Sequence, residues 1–181
     1  TLLSPLVSSL LFLSVLSLAL GNDRGEVLGF PFITFLAPGL IAMSIIQQGF
    51  SHSVSSLMIA KIQGNIIDTL MAPLSAAEVT LAIILAAVTR SLIILIISVI
   101  VFSFIIEIHL YSILYIFVGA FLGSFILGSL GFITGQFALK FDHTATVTNF
   151  IITPLSFLSG VFYTIDRLPL FFQTVSSVNP F

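Results

Sequence analysis

The chain has 181 residues, 58% of them hydrophobic and 7% charged, with a formal net charge of -2 and a mean hydropathy of +1.26. Soluble domains carry about 25% charged residues; no core hides this much apolar surface from water, so the solvent is a bilayer. Five basic residues make no patch for nucleic acid, and the absence of cysteine excludes disulfides and thiolate metal sites.

A membrane helix needs about 20 mostly apolar residues. Five candidate spans follow in order, near residues 5–20, 32–56, 79–106, 112–139 and 147–163. They predict an all-α polytopic membrane protein with one transmembrane domain over residues 1–181. The chain opens on Thr1 and stops at Phe181, which suggests trimming at both ends. The first run resembles a signal-peptide core, but it lacks a basic flank and similar spans follow it. The tail "DRLPLFFQTVSSVNPF" is apolar, short and broken by two prolines. It reads as an interfacial or re-entrant piece.

The connectors alternate sides. Lys61 and Lys140 fall on one side, Arg24 and Arg167 on the other. Arg90 tips the positive-inside count toward a cytoplasmic Lys61. About 16 apolar residues separate Arg90 from Glu107, roughly 24 Å of helix. Arg90 is therefore read as an anchor snorkelling to the inner interface, with residues 79–89 at or below that interface.

The segment "KIQGNIIDTLMAPLS" interrupts the apolar pattern between spans two and three. Ile62, Ile66 and Leu70 recur on one side with Ile67 and Met71 beside them, while Lys61, Asn65, Asp68 and Thr69 lie opposite. This period predicts an amphipathic helix over about 61–73, ended by Pro73. Ser75 with Glu78 three residues on has the spacing of a capping box for the next helix. Such a helix either rests on the headgroups or docks a soluble partner.

Span two carries Ser44, Gln47, Gln48, Ser51, His52 and Ser55 within an arc of about 140°. Polar side chains avoid lipid, so this face meets protein or water. It either hydrogen-bonds neighbouring helices or walls a transport path. Span four has glycine pairs at 119/123 and 131/135, the small-xxx-small spacing that lets helices approach closely. In span five, Pro154 frees a backbone carbonyl and Gly160 thins the helix. The chain is expected to turn near Asp166 and bury Leu168, Leu170, Phe171 and Phe172 in the outer interface.

Energy conversion is not encoded here. A P-loop needs Gly-Lys-Ser/Thr, but Lys61 precedes Ile62 and Lys140 precedes Phe141. Asp23, Glu26, Asp68, Glu78, Glu107, Asp142 and Asp166 all fall in connectors or at span ends. That pattern argues against a proton relay, and less strongly against sodium coupling. No catalytic triad or metal-ligand spacing is apparent, so no catalytic or metal residues are assigned.

Several pieces in order resemble the permease subunit of ABC-2 type transporters, of the bacterial polysaccharide and multidrug exporter kind. They are "FLAPGLIAMSII", "KIQGNIIDTLMAPLSAAE", the Arg of "AAVTRSLI", "GQFALKFDHTATVTNFIITPLSFLSGVFY" and "LPLFFQTVSSVNP". The resemblance covers essentially the whole chain. It implies a type V exporter-like transmembrane domain with six spans, five of them present here, and an extracellular re-entrant hairpin present in part. It implies a cytoplasmic coupling helix over about 61–73, in a segment carrying Lys61, Asn65, Asp68, Ser75 and Glu78, that contacts a separate ATPase subunit. The permease itself would be non-catalytic and hold no cofactor, with ATP and Mg on the partner. It would work as a homodimer in the inner membrane, exporting a polysaccharide, lipid-linked or drug-like substrate. Two other classes fit composition alone: a secondary carrier or channel, and a membrane anchor without a transport role.

Overall fold

The computed structural model describes residues 3–20, 26–27, 30–105, 113–159, 161, 169, 173–174, 176 and 179. In lipid every backbone amide needs an internal partner, which favours continuous helices. The described elements are α1 (Leu3–Leu20), a two-residue antiparallel pair β1 (Glu26–Val27) and β2 (Phe30–Pro31), then α2 (Phe32–Gln63) and α3 (Ile66–Met71). Next come α4 (Ala76–Ser103), α5 (Ile113–Phe137), α6 (Phe141–Val147), a π-helical turn (Thr148–Ile152) and α7 (Thr153–Phe157). The fold is all-α apart from that short β pair. α2, α4 and α5 are long and apolar enough to cross a membrane. α1, at 18 residues, reaches about 27 Å, close to the roughly 30 Å hydrocarbon core.

The central helix is α2, which packs against α5, α4 and α1. Its contact with α5 is backbone to backbone. A Cβ on Gly131 would lie 2.5 Å from the Phe50 carbonyl oxygen, and one on Gly49 would lie 2.7 Å from that of Ser124. Gly123 admits the Ile46 side chain, and Gly135 rests on Leu57. Gly119, by contrast, faces open space, so the 119/123 pair does not act as a unit. Small residues turn inward on α5, and Leu122, Ile126, Leu130 and Ile133 point outward. The pattern is the reverse of a soluble helix, because lipid solvates large apolar side chains and close packing favours small ones.

Two apolar clusters stack along α2. One gathers Leu36, Leu40 and Ile45 with Leu95, Phe102 and Val161; the other gathers Phe50, Val54 and Met58 with Leu127, Ala138 and Ile152. Val161 approaches Gly39 of α2, while Ser156, earlier in the chain, bonds Gln47. Ser156 and Val161 therefore follow each other in the direction opposite to α2.

The segment after span two differs from the predicted single helix over 61–73. α2 continues through Lys61 to Gln63, because no breaking residue occurs before Gly64. Gly64 takes a left-handed conformation at φ 78°, and its N–H donates to the Lys61 carbonyl. This glycine stop is a common helix C-cap. α3 then spans only Ile66–Met71, and Ala72 is extended ahead of Pro73. Ile62 and Ile66 therefore belong to different helices. The predicted cap of α4 is present: the Ser75 hydroxyl accepts from the Glu78 N–H, and the Ser75 N–H donates to the Glu78 carboxylate at 2.7 Å.

The α2–α5 contact generates a direct test. Gly131→Val drives a branched side chain into the Phe50 carbonyl and is expected to destabilise the fold by about 1–3 kcal/mol. Gly119→Ala is expected to be neutral or stabilising by up to about 1 kcal/mol. Unfolding of the purified protein in mixed micelles measures both. Equal tolerance at the two positions contradicts the packing.

Candidate functional site

One end of the molecule collects the last turn of α2, all of α3, the start of α4 and the end of α5. α3 buries none of its residues. Ile67, Leu70 and Met71 are 59%, 72% and 80% exposed, and Leu74 beyond the helix is exposed as well. Asn65 and Asp68 are exposed beside them; the Asn65 amide donates only to the Gln63 side chain, at 3.2 Å. Six residues do not hold a helix by propensity, and Asn65 gives α3 no side-chain cap; its ends rest on backbone bonds from the Ile67 N–H to the Gly64 carbonyl and from the Ala72 N–H to the Asp68 carbonyl.

Lys61 does not share that outward polar face, as the single-helix reading had it. Its ammonium donates to three carbonyls at the end of α5: Gly135 at 2.7 Å, Gln136 at 2.6 Å and Ala138 at 3.2 Å. The last carbonyls of a helix lack intrahelical partners and carry partial negative charge. A lysine whose stem lies along apolar helix surface meets them without desolvating its charge unpaired. Sequence periodicity places Lys61 on an arc but holds no information about which helix end lies opposite.

The polar face of α2 separates into two parts. At its margins and outer end, side chains reach neighbours. The Ser44 hydroxyl lies 2.6 Å from that of Ser9 on α1, and Gln47 Nε2 donates to the buried Ser156 hydroxyl at 2.8 Å. His52 Nδ1 lies 3.4 Å from the Arg90 guanidinium of α4. Gln48, Ser51 and Ser55 recur at i, i+3 and i+7, are half-buried, and have no hydrogen-bond partner among the described residues. A cavity of about 150 Å³ lies between α1, α2 and α7. Its lining mixes polar Ser8, Ser9, Ser44 and Gln47 with apolar Phe12, Leu40, Met43 and Phe157. Arg90 itself is exposed on α4, fifteenth in a helix that begins at Ala76.

Periodicity alone did not signal three further features. Before Pro154 the helix widens into the π-turn, and the Thr153 hydroxyl donates to the Thr148 carbonyl at 2.9 Å. A π-turn widens the ladder to i→i+5 bonds: the Thr148 carbonyl accepts the Thr153 backbone N–H and, in addition, the Thr153 hydroxyl. Past α7, Asn179 Nδ2 donates to the Leu155 carbonyl at 2.7 Å and the Ser176 hydroxyl to that of Leu158 at 2.8 Å. The tail thus returns to the end of α7. The expected turn at Asp166, Gly160 and the apolar set Leu168, Leu170, Phe171 and Phe172 lie outside the described residues.

Apolar helices of membrane-crossing length, tied together through small residues and polar caps, define a polytopic helical membrane domain. The family model of the ABC-2 type transporter matches residues 1–181. The chain is 31% identical to the inner membrane transport permease YadH of Escherichia coli strain K12 over 180 residues, covering 99% of this chain and 70% of that protein. It is 25% identical to nodulation protein J of Rhizobium leguminosarum bv. viciae over 182 residues, again 99% of this chain and 70% of the relative. No solved structure matches the chain. The chain belongs to the ABC-2 type transporter family and is a membrane permease subunit of an ABC transporter.

Proposed function

We propose that this permease exports an amphiphilic substrate across the inner membrane as a homodimer, powered by a separate ATPase subunit that docks on α3. The substrate class is a polysaccharide, a lipid-linked molecule or a drug-like compound. ATP and Mg are held by the partner, and the permease contributes no catalytic group. The observation that carries this reading is the bare apolar surface of Ile67, Leu70 and Met71 on a helix that buries nothing of its own. A hydrophobic cluster flanked by Asn65 and Asp68 suits a protein cleft with a polar rim. The name of the Escherichia coli relative, an inner membrane transport permease, supports the compartment and the transport role. For the path, support comes from Gln48, Ser51 and Ser55, whose unpaired polar atoms are costly against lipid. The cavity beside Ser44 and Gln47, with its mixed polar and apolar lining, suits an amphiphile.

Two experiments test this. A cysteine at Asn65 or Asp68 is expected to crosslink to the ATPase and to react with impermeant reagents only from the cytoplasmic side. Labelling from outside intact cells overturns both the topology and the docking. The Gln48→Leu, Ser51→Leu double variant is expected to assemble with the ATPase at normal levels and lose export by about tenfold or more, because a polar wall becomes apolar and bulkier. Normal export per assembled complex removes these residues from the path.

A further inference from the structure

Lys61 joins two corners of the fold through two different atoms. Its carbonyl oxygen accepts the Gly64 N–H and so holds the left-handed turn that leads into α3. Its ammonium holds the Gly135, Gln136 and Ala138 carbonyls, where α5 ends and the chain turns into α6. Above this level α2 and α5 are fastened by glycine contacts, the lowest of them Gly135 against Leu57. Below it α5 has left its hydrogen-bond ladder, and residues 138–140 are not helical. There the ammonium is the polar link from α2 to the corner, beside the buried Ala138. From that corner the chain continues through α6 to the π-turn, the least regular part of the described helices.

We propose that Lys61 is a positioning residue that relays displacement of α3 to the α5–α6 corner. The inference rests on the reading that an ATPase moves α3. Charge-assisted hydrogen bonds to three carbonyls are short and directional, so the corner follows the last turn of α2 instead of sliding past it. A methionine at 61 has nearly the same length and apolar character but no donor, and it leaves the carbonyls unpaired. An arginine keeps several donors and the charge.

The test uses the permease assembled with its ATPase in nanodiscs, with spin-labelled chain diluted by unlabelled chain. One label pair, at Asp68 and Ala82, reports α3 against α4; the other, at Asp142 and Ala82, reports the corner against α4. All three positions are exposed. Trapping with ATP and vanadate is expected to shift both distances by about 2 Å in the otherwise wild-type protein, the scale of helix shifts in switching proteins. In Lys61→Met the first shift persists and the second is lost; in Lys61→Arg both return. Lys61→Gln, too short to reach all three carbonyls, is read the same way if the methionine variant does not assemble. A cap that only stabilises would lower the melting temperature and leave both shifts in place, which overturns the relay. Absence of both shifts without any substitution at 61 overturns the docking reading instead, and the relay with it.

Discussion

The structure depends on how closely α2 and α5 approach. Gly49 faces the Ser124 backbone and Gly131 faces the Phe50 backbone, so no side chain separates the two helices at these levels. In a bilayer the hydrophobic effect does not press helices together; contact area and complementary shape do. Each close pair of atoms contributes only about 0.1–0.2 kcal/mol, so a long glycine-lined seam matters more than any one contact. With α2 and α5 joined, α4 packs against both and α1 and α7 against α2. Leu122, Ile126, Leu130 and Ile133 of α5 are left to face lipid, while Leu127 packs inward.

Several polar side chains serve a second need, the satisfaction of backbone groups at helix ends. Lys61 caps α5, the Thr153 hydroxyl adds a second bond to the Thr148 carbonyl at the π-turn, and Ser176 and Asn179 cover carbonyls at the end of α7. These groups occur where helices stop or change pitch, which is where lipid is least tolerant of a bare carbonyl. Against that background, the polar and apolar groups with no such duty stand out. They include the exposed surface of α3 and the Gln48, Ser51 and Ser55 row of α2, together with the buried Ser53 and Ser124 hydroxyls and His52 Nε2, which have no partner among the described residues. The proposed docking surface and path wall would give the first two a role.

Much of this was legible in the sequence. Composition specified the bilayer, and the apolar runs correspond to helices, although α2 continues to Gln63, past the predicted end at 56. The Ser75–Glu78 capping box was readable because both partners lie within one turn. The seam on α5 was readable as a glycine spacing, although Gly119 and Gly131 look alike in sequence and differ entirely in surroundings. Less legible was whatever depended on contacts between distant segments. Lys61 bonds residues more than 70 positions away, and Gln47 bonds Ser156 across 109. The helix period grouped Lys61 with Asn65 and Asp68 on one polar arc, whereas its ammonium turns to the end of α5, a contact that belongs to the tertiary fold. Gly64 was a local signal whose effect is conformational: as a helix stop it divides one amphipathic pattern into the end of α2 and the short α3.

The central claim is that α3 is a docking element and not a connector lying on the headgroups. A structure of the permease bound to its ATPase subunit in nanodiscs tests this most directly. The account predicts Ile67, Leu70 and Met71 buried in a cleft of the ATPase, with Asp68 at its rim. An ATPase bound elsewhere, with those three side chains inserted among lipid headgroups, would contradict it.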